Sequence, residues 1–168
     1  MPKLLRLAEA ASDTIAKAGA RLLRSRPLMR APIWLYRARL GFLLGRRLLM
    51  LEHTGRRSGL PRYVVLEVFD HPSPNIYTVA SGFGTRAQWY RNIEANAEVR
   101  VSVAGDVSIP ASARMLPQGE ADAALQAYIR RHRRAWDALK PIIETTLGTQ
   151  INDRDTALPM VELELHPS

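Results

Sequence analysis

Residues 48–69 read LLMLEHTGRRSGLPRYVVLEVF, which is an apolar run, a glycine-rich polar segment and a second apolar run. The first run, 48–52, has the length of a buried strand. The second, 63–69, is rich in valine and aromatic residues, which favour strands. The segment between them, Thr54-Gly55-Arg56-Arg57-Ser58-Gly59, has the composition of a turn. The stretch therefore predicts two strands joined by a cationic loop.

Four further strands are predicted beyond this stretch, at 76–81, 98–103, about 107–115 and 161–165. Residues 70–75 combine Asp, Pro, Ser and Asn and are expected to form a loop. Pro110 has no N–H to donate, so an edge or bulge position is expected for it. Six short strands without regular βαβα alternation predict an α+β domain with a mainly β core that closes into a small barrel.

Helices are predicted between and before these strands. Residues 3–24 have an apolar face at helical spacing, and a second helix is expected at about 33–44. A short helix is expected over about 86–96, where Thr85 and Gln88 have the spacing of a capping box. A longer helical region, 118–147, is expected to break near Pro141 and to end at Gly148.

The domain organisation follows from the change from helical patterns in residues 1–47 to strand patterns from residue 48 onward. Residues 1–47 are expected to form a helical N-terminal segment packed on or flanking the barrel, and 48–168 the barrel itself, within a single domain. The chain has 168 residues and a net charge of +8, and residues 1–47 carry eleven Lys and Arg against two acids. Such an excess attracts phosphate groups of any kind.

Composition also limits the function. The chain has no cysteine, so disulfides and thiolate metal sites are excluded. The histidines have no metal-ligand spacing, and no metal site is predicted. No signal peptide is expected, and arginines interrupt the apolar stretch 31–51, which argues against a membrane-spanning helix. P-loop, Rossmann and nucleophile-elbow motifs are absent.

The TGRRSG loop is the first candidate site. Glycines such as Gly55 let main-chain N–H groups approach an anion, and the guanidinium groups of Arg56 and Arg57 bind phosphate or carboxylate through a planar fork. The Ser58 hydroxyl and Arg62 could assist. From composition alone, a plain hairpin turn with solvated arginines is an equally good interpretation.

Residues 81–85, SGFGT, form the second candidate, because a strand runs through Ser81 into Gly82 and Gly84 and then into a helix. The positive end of that helix would face whatever lies at the glycines. The alternative is an ordinary strand-to-helix connection. Three residues of the following helix, Trp89, Tyr90 and Asn92, form a third group, although Trp89 has the spacing of a core residue.

Three segments in order, LLMLEHTGRRSGLPR, YTVASGFG and QWYRNIEANAEVRVSV, resemble the deazaflavin (F420)-dependent nitroreductase and quinone reductase family over residues 33–115. The resemblance implies a split β-barrel of the FMN-binding-like type and coenzyme F420. It implies hydride transfer from the reduced deazaflavin to a quinone, nitroaromatic or activated enone.

The resemblance also implies roles for individual residues. The phosphate and acidic tail of the coenzyme would be held by Gly55, Arg56, Arg57 and Ser58, with Arg62 assisting. The ring would be lined by Ser81, Gly82 and Gly84 and braced by Trp89, Tyr90 and Asn92. Ser81 and Tyr90 are the predicted catalytic residues, and Tyr128 and Trp136 are further candidates to face the substrate. The chain departs from the family pattern at Gly82, at Ala87-Gln88 and in the strand RYVVLEV, which affects the expected substrate pocket more than the phosphate site.

Alternatives to this interpretation keep the barrel but change its ligand. They are FMN or another flavin, haem, or a non-enzymatic basic module for membrane or nucleic acid, with nucleic acid disfavoured because aromatic residues seldom accompany the basic ones. The expected location is the cytoplasm, with peripheral contact to the plasma membrane through the basic N-terminal helix as one alternative. A homodimer is a further expectation.

Overall fold

The structure is a computed structural model that describes residues 45–167. The helices predicted at 3–24 and 33–44 lie outside these residues, so the proposed arrangement of the N-terminal segment stays a prediction. The chain enters the described part through a turn at 45–47 and begins its first strand at Leu48.

Six antiparallel strands form a closed barrel in the order β1-β2-β3-β6-β5-β4. Their bounds are β1 Leu48–Thr54, β2 Pro61–Ser73, β3 Ile76–Ala80, β4 Glu98–Val103, β5 Asp106–Met115 and β6 Met160–Leu165. A 3-10 turn, Gly84–Arg86, precedes helix α1, Gln88–Ala95; helices α2, Gln118–Arg131, and α3, Arg133–Leu147, lie between β5 and β6. The predicted α+β class with a barrel core is confirmed.

The interior of the barrel follows from two-residue periodicity. Alternating side chains of the strands point inward and are almost fully buried, among them Leu49, Leu51, Val99, Val101, Val161 and Leu163. Helix α1 adds Trp89 and Ile93 to the same cluster, so it plugs the barrel and is held in a fixed position relative to β1.

A second apolar cluster joins α2 and α3 to the barrel. Phe69 on β2 stacks on Tyr128 of α2 with 4.3 Å between ring centroids, and Trp136 of α3 meets Phe69 edge-on at 6.5 Å. Buried aliphatic side chains of both helices and of the segment before β6 complete this cluster: Leu125, Ile143, Ile151 and Leu158. The two helices therefore lie against the outer side of β2.

Three predicted element boundaries were wrong. Strand β2 continues through 70–73 instead of ending in a loop, because two register shifts let the Asp-His-Pro-Ser segment stay paired with β3. Helix α1 begins at Gln88 without a side-chain cap, so the capping box at Thr85 does not form. The long helical region breaks at His132 instead of Pro141, which lies inside α3.

The predicted end of the last helix agrees with the structure, whereas the edge or bulge position expected for Pro110 was wrong, because Pro110 pairs with Arg100 of β4 in a closed barrel. The Pro110 carbonyl accepts a bond from the His166 N–H. Because the nitrogen and the carbonyl of a strand residue point to the same side, the Pro110 nitrogen also points toward β6, beyond the last β5–β6 pair, Ala111↔Leu165. Gly148 ends α3 in the left-handed conformation, at φ 81°.

Candidate active site

A cavity of about 880 Å³ opens where the β1–β2 loop, strand β2, the glycine segment after β3 and the start of α1 meet. Eight of the predicted cofactor-binding residues line it: Gly55, Arg56, Arg57, Ser58, Arg62, Gly82, Trp89 and Asn92. The three motifs are thus brought together around one space. The remaining predicted residues, Ser81, Gly84 and Tyr90, are not in its lining.

The β1–β2 loop is a tight turn that satisfies most of its own backbone. The Gly55 N–H donates to the Leu60 carbonyl at 2.8 Å, and the N–H groups of Ser58 and Gly59 donate to the Gly55 carbonyl. The Leu60 N–H donates to the Ser58 hydroxyl at 3.3 Å. The N–H groups of both loop glycines are therefore engaged within the loop, and we expect anion binding mainly through the side chains of Arg56 and Arg57.

Arg56 is held by amides. Its Nη1 donates to Gln88 Oε1 at 2.9 Å and to Asn92 Oδ1 at 3.0 Å, and its backbone N–H also donates to Asn92 Oδ1, at 3.1 Å. Within residues 45–167 no carboxylate pairs with it. A guanidinium fixed by neutral oxygens keeps its full positive charge for a ligand.

His53 lies behind this arrangement. Asn92 Oδ1 already accepts two bonds, so its Nδ2 is the donor to His53 Nδ1 at 3.0 Å. The His53 ring is therefore neutral, with its proton on Nε2. Burial, helped by the positive charge of Arg62, lowers the pKa of His53 to about 4, in agreement with a neutral ring.

The remaining cationic side chains surround the cavity. Arg57 and Arg62 line it and have no ion-pair partner in the described part of the chain. Glu67 is the single acid among the described residues of the lining, and it accepts bonds from Arg47 at 3.1 Å and from the Tyr128 hydroxyl at 2.6 Å. The cavity is therefore strongly positive toward the loop, while Val64, Leu66 and Phe83 supply apolar surface.

The glycine segment is held by α3. The Ser81 hydroxyl donates to the Gly84 carbonyl at 2.7 Å, and the Thr146 hydroxyl donates to the Gly82 carbonyl at 2.5 Å. Gly84 has φ +65°, and a Cβ there would lie 3.0 Å from Leu147 Cδ1. Only glycine fits this position without strain. The segment is fixed in shape, and Gly82 and Phe83 are its residues that reach the cavity.

The predicted catalytic residues lie behind the cavity wall. Ser81 is 1% exposed, and Tyr90 is buried beside Trp89 with 5.8 Å between ring centroids. Burial raises the pKa of the Tyr90 hydroxyl. A direct role of either residue in proton transfer stays a prediction. Tyr128 and Trp136, expected to face a substrate, are instead buried in the cluster under α2 and α3.

Several lining residues were missed by sequence reasoning: His53, Phe83, Arg86, Gln88, Val64 and Leu66. Gln88 and Asn92 are one helical turn apart, and this spacing was a usable signal. For His53 no local pattern exists, because its partner is thirty-nine residues away in sequence. Val64 and Leu66 resemble core residues in sequence, and only the barrel geometry shows that they face the cavity.

Two further findings concern membranes and metals. Among residues 45–167, no helix is long and apolar enough to cross a bilayer. The same residues contain no group of three or more His, Asp or Glu side chains arranged to hold a metal ion.

Comparison with solved structures places the fold. Two solved structures match this chain with 23% identity, a TM-score of 0.51 and 71% coverage of this chain. One is described as a domain-swapped dimer and is covered over 81% of its length. The other is an F420-H2 dependent reductase, FDR-A, and is covered over 96% of its length. A Clostridium acetobutylicum protein related to general stress protein 26, of the pyridoxinephosphate oxidase family, matches at 9% identity and a TM-score of 0.51, covering 78% of this chain and 83% of its own. The fold is therefore the split β-barrel of FMN-binding-like proteins.

Comparison by sequence identifies the family. No curated protein sequence matches the chain. The family described as F420H(2)-dependent quinone reductase matches residues 28–151, a range that contains the arginine loop, the glycine segment and helix α1. The chain belongs to the F420H(2)-dependent quinone reductase family.

Proposed function

We propose that the cavity binds coenzyme F420 and that the chain catalyses reduction of a quinone-type acceptor. The observation that carries this proposal is the position of Arg56, Arg57 and Arg62 around one end of an 880 Å³ cavity whose walls are otherwise largely apolar. The family match gives the cofactor class, and the alternative of FMN receives no support from it.

The residues present fit the coenzyme. F420 combines a flat deazaflavin ring with a phosphate and an acidic tail. Arg57 and Arg62 have no ion-pair partner within the described residues, so they can bind phosphate or carboxylate without giving up another contact. Trp89, Val64 and Leu66 offer apolar surface for a ring. FMN and haem also carry anionic groups, so the arginines alone do not choose among the three.

When bound, reduced F420 supplies a hydride. The chain contributes binding, orientation and exclusion of water. The arginines would hold the anionic part, and the rigid glycine segment would form one wall of the cavity through Gly82 and Phe83. For Ser81 and Tyr90 we propose support of this wall, since the Ser81 hydroxyl is bonded to the Gly84 carbonyl.

Fluorescence titration with F420 tests whether the chain binds this coenzyme. Wild-type protein is expected to bind, and Arg57→Ala is expected to raise Kd roughly 10- to 100-fold, the value of one charge-assisted contact. Arg134→Ala, an exposed arginine on α3, is the matched control and should bind as wild type. A wild-type protein that leaves the fluorescence of F420 unchanged at micromolar concentration would overturn the proposal, and a yellow protein releasing FMN would establish the alternative.

The acceptor is the finer part of the proposal. We expect a soluble quinone to be reduced by F420H2 with the highest kcat/KM, above a nitroaromatic and an activated enone. A consumption assay for F420H2 with each acceptor, at equal enzyme concentration, ranks the three. Faster turnover of the nitroaromatic would assign the chain to nitroreductase activity instead.

Location and assembly are also proposed. We infer a cytoplasmic protein that forms homodimers and whose basic segment 1–47 contacts anionic lipid, near a supply of quinones. Flotation with anionic and neutral liposomes, for the full chain and for a chain without residues 1–30, tests the contact. Equal flotation of both chains would reject it. Light scattering tests the dimer.

A further inference from the structure

We infer that Gln88, Asn92 and His53 are positioning residues for Arg56, and that the neutral amide of Asn92 is what leaves the charge of Arg56 available to an anionic ligand. The inference rests on the proposed function for the identity of the ligand. It assigns to Asn92 a task different from direct contact with the coenzyme.

The first step is the pattern of bonds on Arg56. Its backbone N–H and its Nη1 converge on the single oxygen Asn92 Oδ1, at 3.1 and 3.0 Å, while Gln88 Oε1 takes a second bond from Nη1 at 2.9 Å. Side chain and main chain are thereby tied to the same helix. Most of the rotamer freedom that a long arginine loses on binding is already lost before a ligand arrives.

The second step is the orientation of the amide. Rotating the Asn92 amide by half a turn would set its NH2 against two donors of Arg56. In the tautomer protonated at Nε2, His53 Nδ1, at 3.0 Å from Nδ2, is an acceptor and opposes the same rotation. His53 thus acts on Arg56 through Asn92, and it does so only while its ring is neutral.

The third step concerns the charges around His53. On β2, Arg62 is the register partner of His53 across the β1–β2 pair. On the loop, Arg56 is connected to His53 through Asn92, and α1 contributes only the uncharged amide of Asn92. Both nearby charges are positive, and both oppose protonation of the ring. Protonation would replace the acceptor at Nδ1 by a donor and free the amide to rotate.

A measurement without coenzyme tests the His53 part. Nitrogen NMR of the full chain reports the tautomer and charge of each imidazole. At pH 7 we expect His53 as the neutral ring protonated at Nε2, and we expect Asn92→Ala to abolish that preference for one tautomer. A charged His53 at pH 7, or a proton on Nδ1, would overturn the arrangement regardless of what the cavity binds.

Binding measurements test the Arg56 part, with F420 as the probe. Asn92→Asp preserves the shape and both acceptor bonds but sets a carboxylate on Arg56, so we expect Kd to rise at least as far as in Asn92→Ala, by tenfold or more. Asn96→Asp, which adds the same charge at the exposed end of the same helix, is the control and should change Kd less than threefold. If Asn92→Asp binds F420 with a Kd close to that of wild type, the shape of residue 92 is sufficient and its neutrality does not matter, and the inference is wrong.

A conservative variant separates positioning from folding. In His53→Asn the side-chain oxygen lies where His53 Nδ1 lies and can accept the same bond from Asn92. We therefore expect His53→Leu to raise the Kd for F420 and His53→Asn to restore a Kd close to that of wild type. Between pH 7 and pH 5 the wild-type and His53→Asn proteins should bind alike, and as the pH falls from about 5 through 4, where the His53 ring takes up a proton, the wild-type Kd should rise more steeply than that of His53→Asn. If wild type binds no F420, the proposed function fails while the NMR result still stands; if wild type binds and these variants do not differ, the positioning role fails.

Discussion

Gly55 shows how one residue fixes the arginine loop. A Cβ at this position would lie 2.7 Å from Ser58 Oγ and 3.3 Å from the Leu60 carbonyl. Gly55→Ala should therefore lower the free energy of unfolding by about 1–3 kcal/mol, the usual range for forced contacts. Urea unfolding monitored by tryptophan fluorescence measures it.

Gly119 is the matched control for that substitution. It lies in the first turn of α2, and a Cβ there meets nothing within 4 Å. Gly119→Ala should be neutral or stabilise by up to about 1 kcal/mol, since alanine is the better helix former. Equal losses in the two variants would show that the close approach at Gly55 is relaxed by the chain.

His53 makes stability depend on pH. The unfolded chain protonates this ring near pH 6.5, whereas the folded chain does so only near pH 4. The free energy of unfolding should therefore fall as pH is lowered from about 6.5 to about 4, by up to about 3 kcal/mol in total. His53→Asn removes this contribution, and urea midpoints at several pH values should show a smaller fall for the variant. Parallel curves would contradict it.

Single residues were only partly predictable from the sequence. The place of Arg57 and Arg62 beside the other two motifs could be predicted, because the three segments occur together in one order, and both residues line the cavity. Their role in binding is part of the proposed function. The place of Ser81 could not be predicted, because the sequence does not show that its hydroxyl is bonded to the Gly84 carbonyl. The partnership of His53 with Asn92 depends on how α1 enters the barrel, which is a tertiary property.

At the scale of elements, the C-terminal turn of α3 clamps the cavity wall. Thr146 accepts a bond from Arg86 through its carbonyl at 3.2 Å and donates one to the Gly82 carbonyl through its hydroxyl. Thr146→Val should lower the free energy of unfolding by about 1 kcal/mol. It should also speed hydrogen exchange of the Gly84 amide, which donates to Ser81.

Thr145 gives the comparison for that element. Its hydroxyl donates to the Pro141 carbonyl of its own helix and is exposed. Thr145→Val should leave both stability and Gly84 exchange close to wild type. An unchanged exchange rate in Thr146→Val would mean that the glycine segment holds its shape without α3.

Elements were more predictable than their ends. The barrel strands follow from alternation and from β-branched residues, and these signals are strong because burial enforces them. The extension of β2 through Pro72 depends on bulges opposite β3, and the break at His132 lies between Tyr128 and Trp136, whose rings both contact Phe69. Neither cause is local in sequence.

At the scale of the whole molecule, charge governs how a ligand arrives. The net charge is +8, and the cavity presents several arginines. Binding of F420 should weaken roughly tenfold between 50 mM and 500 mM salt, because screening shortens the reach of these charges. Fluorescence titrations at several salt concentrations measure the slope, which should be shallower in Arg57→Ala. A deazaflavin without phosphate or acidic tail should bind with little salt dependence.

Strand β6 lies between β3 and β5 in the barrel, although about eighty residues separate it from β3 along the chain. During synthesis the ribosome releases β1 to β5 and both long helices before this strand. Until β6 emerges, β3 and β5 each present an unpaired edge that can recruit a strand from a neighbouring nascent chain. Of the six barrel strands β6 is translated last, so on a crowded polysome its pairing with β3 and β5 ends the exposure of both edges.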